Sequence, residues 1–172
     1  HCADSPMLLY FKGSGNVNAA RTLAVVGTRN ATPHGKETTE KFIAGLKEYQ
    51  PTIISGLAYG IDIVAHKACV DNGLPTIGVL AHGLDRVYPQ LHVKIAESMM
   101  EKGGLITEFP SGTNPDRENF PKRNRIIAGL SDATVVVEAA EKGGALITAE
   151  LASGYNRDVF AFPGRVDDKY SE

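Results

Sequence analysis

Short apolar runs recur along the chain, most of them closing on a glycine or a strand-ending acid, and a helix-length segment follows nearly every one. Leu23–Gly27, Thr52–Gly56, Pro75–Leu80, Gly104–Glu108, Ala133–Glu138 and Val159–Phe162 are the clearest. Continuous rather than alternating apolarity marks strands buried on both faces. A shorter strand is expected over Met7–Lys12. Helices are expected over Pro33–Tyr49, Gly60–Asn72, Gln90–Lys102, from Phe120 to about Leu130, and over Ala145–Tyr155. Thr32 precedes Pro33 in the arrangement of an N-cap followed by an N1 proline. Strand and helix in alternation, joined by short connections, build right-handed βαβ units. The expected fold class is therefore α/β, Rossmann-like, with a mostly parallel sheet and helices on both faces. At 172 residues the chain is expected to be one domain, 1–172, with a sizeable core. It opens at His1 without a methionine, which is read as the mark of a core excised from a longer protein.

Charge excludes little. The formal net charge is −2, so any nucleic-acid site must be a local one. No apolar run approaches the length of a membrane span. Cys2 and Cys69 lack metal-ligand spacing and are expected to be reduced thiols, which suits a cytoplasmic protein.

In an open α/β sheet, ligands bind beyond the carboxyl ends of the strands. Four segments fall there: Gly27-Thr28-Arg29, Ser55–Gly60, Phe120–Arg125 and Gly143-Gly144. They should face one crevice. Gly56 and Gly60 permit close backbone approach, and Ser55 supplies a hydroxyl. Phe120-Pro121-Lys122-Arg123-Asn124-Arg125 reads as a helix entry, with Lys122, Arg123 and Arg125 in its first turn. Cations are disfavoured there by the helix dipole, and a bound polyanion such as phosphate would compensate. A solvated basic turn balanced by Asp116 and Glu118 is the plainer account. The loop Phe109–Asn119 reads as a binding loop. Asp62 follows Gly60 as a helix cap. Glu108 and Glu138, at strand ends, are placed to orient an arginine of the crevice. There is no G-x-G-x-x-G, no P-loop and no G-x-S-x-G elbow, and the five histidines show no ligand spacing. No catalytic residue, metal site or cofactor is expected.

Five segments in this order resemble a known family. They are Val26-Gly27-Thr28-Arg29, Ser55-Gly56-Leu57-Ala58-Tyr59-Gly60-Ile61-Asp62, Gly83-Leu84-Asp85-Arg86-Val87-Tyr88-Pro89, Phe120–Ile127 and Gly144-Ala145-Leu146-Ile147-Thr148-Ala149. The chain resembles the DNA-processing protein A family (DprA, also called Smf) from Met7 onward. Thr28 stands where serine is commoner and keeps the hydroxyl. The resemblance implies an extended Rossmann fold that binds single-stranded DNA in a basic pocket, protects incoming strands in natural transformation and loads the RecA recombinase. It also implies a homodimer, no enzymatic activity, and flanking helical and winged-helix-like domains not found in this sequence. Arg29, Lys122, Arg123 and Arg125 become the phosphate contacts, with Arg123 alternatively folded into the core edge. Gly27, Thr28, Ser55, Gly56, Gly60, Gly143 and Gly144 become backbone or hydroxyl donors. Asn124 would bond a phosphate or base. Phe120 and Tyr59 would stack a base, or Phe120 would staple the helix. Two rivals share the fold. One is a lysine-decarboxylase-like nucleoside-monophosphate phosphoribohydrolase, whose glycine-rich motif is matched only in part by Lys142–Glu150. The other is a small-nucleotide sensor in the same crevice.

Overall fold

A computed structural model describes residues 2–141 and 143–164, so Lys142 of the glycine-rich segment lies outside the described residues. The elements run β1 (Tyr10–Gly13), β2 (Thr22–Val26), α1 (Pro33–Gly45), β3 (Thr52–Ser55), α2 (Ile61–Asn72), β4 (Thr76–Val79), α3 (Val93–Met99), β5 (Gly104–Thr107), α4 (Asn119–Leu130), β6 (Ala133–Val136), α5 (Gly144–Gly154) and β7 (Asp158–Ala161). They form one seven-stranded sheet in the order β1-β5-β4-β3-β2-β6-β7. Among the described residues only β1 is antiparallel, pairing Tyr10 with Thr107 and Gly13 with Gly104 at the edge. All other pairs are parallel, as expected of strands separated by crossover helices.

Alternation along the strands divides the core. Val25 and Ile53 point to the layer of α1 and α2, against Ile43, Ile61, Ala65 and Cys69. Ala24, Val26 and Ile54 point to the opposite face, against Ile126 and Ile127 of α4 and Ala145 of α5. Leu105, with Leu57 and Leu80, packs on Ala96 and Met99 of α3. Three helices thus cover one face and two the other. The chain winds outward from β2 to β5, then returns to lay β6 against the free side of β2. Order therefore reverses between β2 and β6, which opens a crevice at their carboxyl ends.

Several bounds differ from expectation. The Thr32 hydroxyl does cap α1, accepting from the Gly35 N–H at 3.0 Å. That helix stops at Gly45, however, short of Tyr49. The Gln90–Lys102 segment is a 3₁₀ turn over Gln90–His92 and then the seven-residue α3. α4 begins at Asn119, so Lys122, Arg123 and Arg125 occupy its fourth, fifth and seventh positions. Only Lys122 still touches the first turn, and the dipole penalty expected for three cations does not arise.

His66 ties the layers together. Its Nδ1 lies 2.7 Å from the Thr76 hydroxyl, which itself donates to the Ile53 carbonyl at 3.0 Å. The hydroxyl's proton being spent, His66 Nδ1 must donate, and the imidazole is neutral. Burial pushes its pKa down from 6.5 to about 3. The unfolded chain gains a proton below pH 6.5 that the folded chain refuses. Stability is therefore full above that value and lost as pH falls towards 3. Between pH 7 and pH 5, His66 alone should remove about 2 kcal/mol. Urea unfolding at both pH values checks this, and His66→Gln should flatten the dependence.

Candidate functional site

The site is assembled from loops that follow β2, β3, β4, β5 and β6. Its centre is Arg123, 3% exposed on the inner face of α4. One guanidinium nitrogen, Nη1, donates to the Gly56 carbonyl at 2.6 Å and to the Val79 carbonyl, gathering the ends of β3 and β4 under the helix. Gly56 must be a glycine here, because a Cβ would lie 2.5 Å from both Arg123 Nη1 and Asp62 Oδ2. Asp62, 8% exposed, thus faces the guanidinium and also accepts from the Ala58 N–H at 3.4 Å. Burial pushes the Asp62 carboxyl up, against the opposing pull of Arg123. Burial brings Arg123 down to about 10, well above neutrality, so the guanidinium stays charged. Of the two readings of Arg123, the geometry gives the core edge.

The loop after β2 is fixed to this frame. Gly60 has φ 80°, and a Cβ on it would meet the Thr28 carbonyl at 2.0 Å. That close approach lets the Thr28 carbonyl accept from the Ile61 N–H at 3.2 Å. The Thr28 N–H donates to the Glu138 carbonyl at 2.6 Å, which locks the β2 and β6 loops together. Ser55 is fully buried and donates to the Val25 carbonyl at 2.6 Å. Ser55 and Gly60 therefore build the site without lining it.

Between these loops lies a cleft of about 730 Å³. Gly27, Thr28, Arg29, Phe120, Arg123, Asn124, Gly143 and Gly144, all expected from the sequence, line it together. Asn124 donates to the Gly144 carbonyl at 3.2 Å and so joins α4 to α5. A smaller hollow of about 40 Å³ opens beside the cleft and receives Gly56 and Tyr59. Arg29, Tyr88 and Phe120 line both spaces. The Arg29 guanidinium carbon sits 5.1 Å from the Phe120 ring centre, and the Tyr88 ring lies 6.2 Å from that of Phe120. Phe120 therefore stands half-exposed at the cleft wall.

Two expected cations stand elsewhere. Arg125 pairs with Glu108 and donates to the Asp4 carbonyl at 2.7 Å. Glu108, expected to orient an arginine of the crevice, thus holds one outside the cleft. Lys122 is exposed, 3.8 Å from Glu118 one turn back. Neither lines the cleft. Glu138 accepts from the Thr32 N–H at 3.0 Å and serves α1 rather than an arginine. Tyr88 and Arg117 are among the lining residues that escaped the sequence reading. Tyr88 sits in the Gly83–Pro89 segment and Arg117 in the polar loop before α4, which were the available signals. Asp85 holds those two loops together, accepting from the Gly112 N–H at 2.9 Å, while Arg86 donates to the Asn114 side-chain oxygen at 2.7 Å.

Fold and site define a Rossmann-like α/β protein whose open cleft, at the topological switch point, combines arginines, backbone amides and aromatic rings. The chain belongs to the DNA recombination-mediator protein A family, whose model matches residues 1–172. It is 44% identical over 166 residues to protein Smf of Synechocystis, covering 94% of this chain and 42% of that protein. The solved structure of DprA from Streptococcus pneumoniae superposes with a TM-score of 0.91 at 41% identity, over 97% of this chain and 59% of that one. DprA from Helicobacter pylori, solved for its single-stranded DNA binding mode, gives 0.89 at 30% identity, over 98% and 78%. The chain thus spans about half the length of the curated relatives it matches. Among the described residues, no helix is long and apolar enough to cross a membrane.

The Arg123 frame yields a stability test. Arg123→Ala leaves the Gly56 and Val79 carbonyls without their donor and Asp62 without a counter-charge. We expect a loss of about 3–5 kcal/mol in chemical unfolding. Adding Asp62→Asn removes the stranded carboxylate and should recover part of that loss. An Arg123→Ala protein as stable as the parent would refute the frame.

Proposed function

We propose that this protein binds single-stranded DNA in the switch-point cleft, as a non-enzymatic DNA-processing protein. The observation that carries the reading is the convergence of Arg29, Arg117, Phe120 and the Gly143-Gly144 backbone on one open cleft. Phosphates would lie against the arginines and the amino end of α5. Bases would stack on Phe120 and Tyr88, a sequence-tolerant contact suited to single strands. A duplex keeps its bases stacked on one another and offers no face to these rings. The similarity to the Helicobacter pylori protein supports the same ligand. Among the described residues the cleft pairs no nucleophile with a general base, and Asp62, its buried carboxylate, lies in the field of the Arg123 charge.

The family relationship extends the proposal to the whole protein. It protects incoming strands, hands them to RecA, and works as a homodimer in the cytoplasm, with 1–172 as one core domain.

Lys122 and Arg125 contribute less to binding in this account than their sequence context implies. Arg29→Ala should weaken binding of all sequences and make the salt slope shallower by about 0.7. Arg125→Ala should lower the melting temperature through the lost Glu108 pairing and leave that slope nearly unchanged. Fluorescence polarisation against oligo-dT at two salt concentrations separates them. Equal slopes for the parent and Arg29→Ala would remove Arg29 from the phosphate path.

Phe120→Leu should reduce affinity by about 1–3 kcal/mol, the worth of a base–aromatic stack. The salt slope should stay put, since no ionic contact is lost. A variant with intact affinity and a lowered melting temperature would return Phe120 to the role of a helix staple.

A further inference from the structure

We propose that the inner end of the cleft, between α4 and α5, seats the terminal phosphate of a DNA strand, with the amino end of α5 and Arg123 as donors. The inference rests on the single-strand reading above and adds to it a preference for strands whose end carries a phosphomonoester.

α5 runs for 11 residues behind the N-cap Gly143. No side chain caps it, and no acidic residue stands in its first turn. The Leu146 and Ile147 N–H groups turn back to the Gly143 carbonyl, at 3.1 and 3.4 Å. Those of Gly144 and Ala145 have no partner among the described residues. Asn124 and Thr148 both donate to the Gly144 carbonyl, at 3.2 and 3.1 Å, and so fix this turn against α4. Gly144 keeps its face open, since a Cβ there would meet nothing nearer than Asn124 Nδ2 at 3.7 Å.

A second donor is independent of the helix. Arg123 lines the same cleft and is 3% exposed. Its Nη1 is spent on the Gly56 and Val79 carbonyls, but its Nε is buried and has no hydrogen-bond partner among the described residues. A buried donor without an acceptor is a standing cost that a bound oxygen would remove.

Among the described residues, the charged groups lining the cleft are Arg29, Arg117 and Arg123 against the carboxylate of Asp62. Three positive charges and one negative leave two positive. A terminal phosphate, close to −2 at neutral pH, would neutralise them. A phosphodiester inside a strand carries only one negative charge. Shape points the same way. The lining comes from the β2 loop, the loop before α4, α4 itself and the turn into α5, so donors close in from several sides. A diester needs two exits for its two ester links. A terminal phosphate needs one, and the strand leaves past Phe120 and Arg29, which line the same cleft.

The test displaces fluorescent oligo-dT from the protein with unlabelled oligo-dT strands of one length that differ only at their ends. Fluorescence polarisation reads the competition. A 5′- or a 3′-phosphate should make a strand compete about tenfold better than one with hydroxyls at both ends, the worth of a charge-assisted hydrogen bond. The end that gains identifies the polarity. The methyl ester of that phosphate keeps its bulk with a single negative charge, and should lose most of the gain. Gly144→Asp places a carboxylate in the seat, where the helix dipole favours it and the fold is kept. The ratio between phosphorylated and unphosphorylated strands should then fall to about one. Should that variant not fold, the modified strands on the parent protein decide alone. Equal competition by all the strands would overturn the inference, as would a methyl ester as effective as the free phosphate. An unchanged ratio in a folded Gly144→Asp protein would overturn it too. In those outcomes DNA binding itself still stands. Failure of the parent to bind any of the strands would overturn the single-strand reading as well.

Discussion

The buried guanidinium of Arg123 is the interaction on which the rest of the site depends. It draws the carbonyls that end β3 and β4 towards α4, and it offsets the charge of Asp62 beneath the Gly56 turn. A charge so fully removed from water persists only where hydrogen bonds and a counter-charge repay its desolvation. Both are present, and both come from segments far apart in sequence. The same contact that closes the core thereby sets the distance between the β3 loop and α4, which form one side of the cleft.

Around that frame the sheet order places the cleft. Consecutive strands move away from β2 in one direction as far as β5, and the chain then recrosses to β6 on the other side. The loops after β2 and β6 diverge at their neighbouring carboxyl ends, and the space between them has no helix to fill it. Thr28 closes its base through the Glu138 carbonyl, while Asn124 fixes α4 to α5 at the far rim. What remains open carries Arg29, Arg117 and two aromatic rings, with Lys122 and Arg125 turned to other partners. A protein of net charge −2 thus concentrates cationic and stacking groups in one place.

Much of this was legible in the sequence, and the failures have physical causes. Strand runs such as Leu23–Gly27 stood out because burial on both faces leaves no polar position within them. The crevice was legible because glycines at strand ends mark backbone approach, and Gly56 and Gly60 prove to need it. The start of α4 was placed one residue late, at Phe120 instead of Asn119, because Pro121 fits any first-turn position. With the helix set earlier, the three cations no longer crowd its amino end. Ser55 looked like a ligand donor, but its hydroxyl is spent on Val25 inside the sheet. Roles of that kind depend on side-chain partners more than twenty residues away, which periodicity cannot reveal. Arg117 and Tyr88 went unnoticed as lining residues for the same reason: tertiary pairing of their loops, through Asp85 and Arg86, brings them to the cleft.

The central claim is that a single strand runs through the cleft between the β2 loop and α4. Ultraviolet crosslinking of oligo-dT, followed by mass spectrometry of the attached peptides, tests it most directly, because the adduct reports the contact itself. The account predicts thymine adducts on Phe120 and Tyr88, with the peptide containing Arg29 as a further product. Adducts confined to the amino ends of the strands, on peptides such as Lys47–Pro51 or Lys102–Gly104, would contradict it.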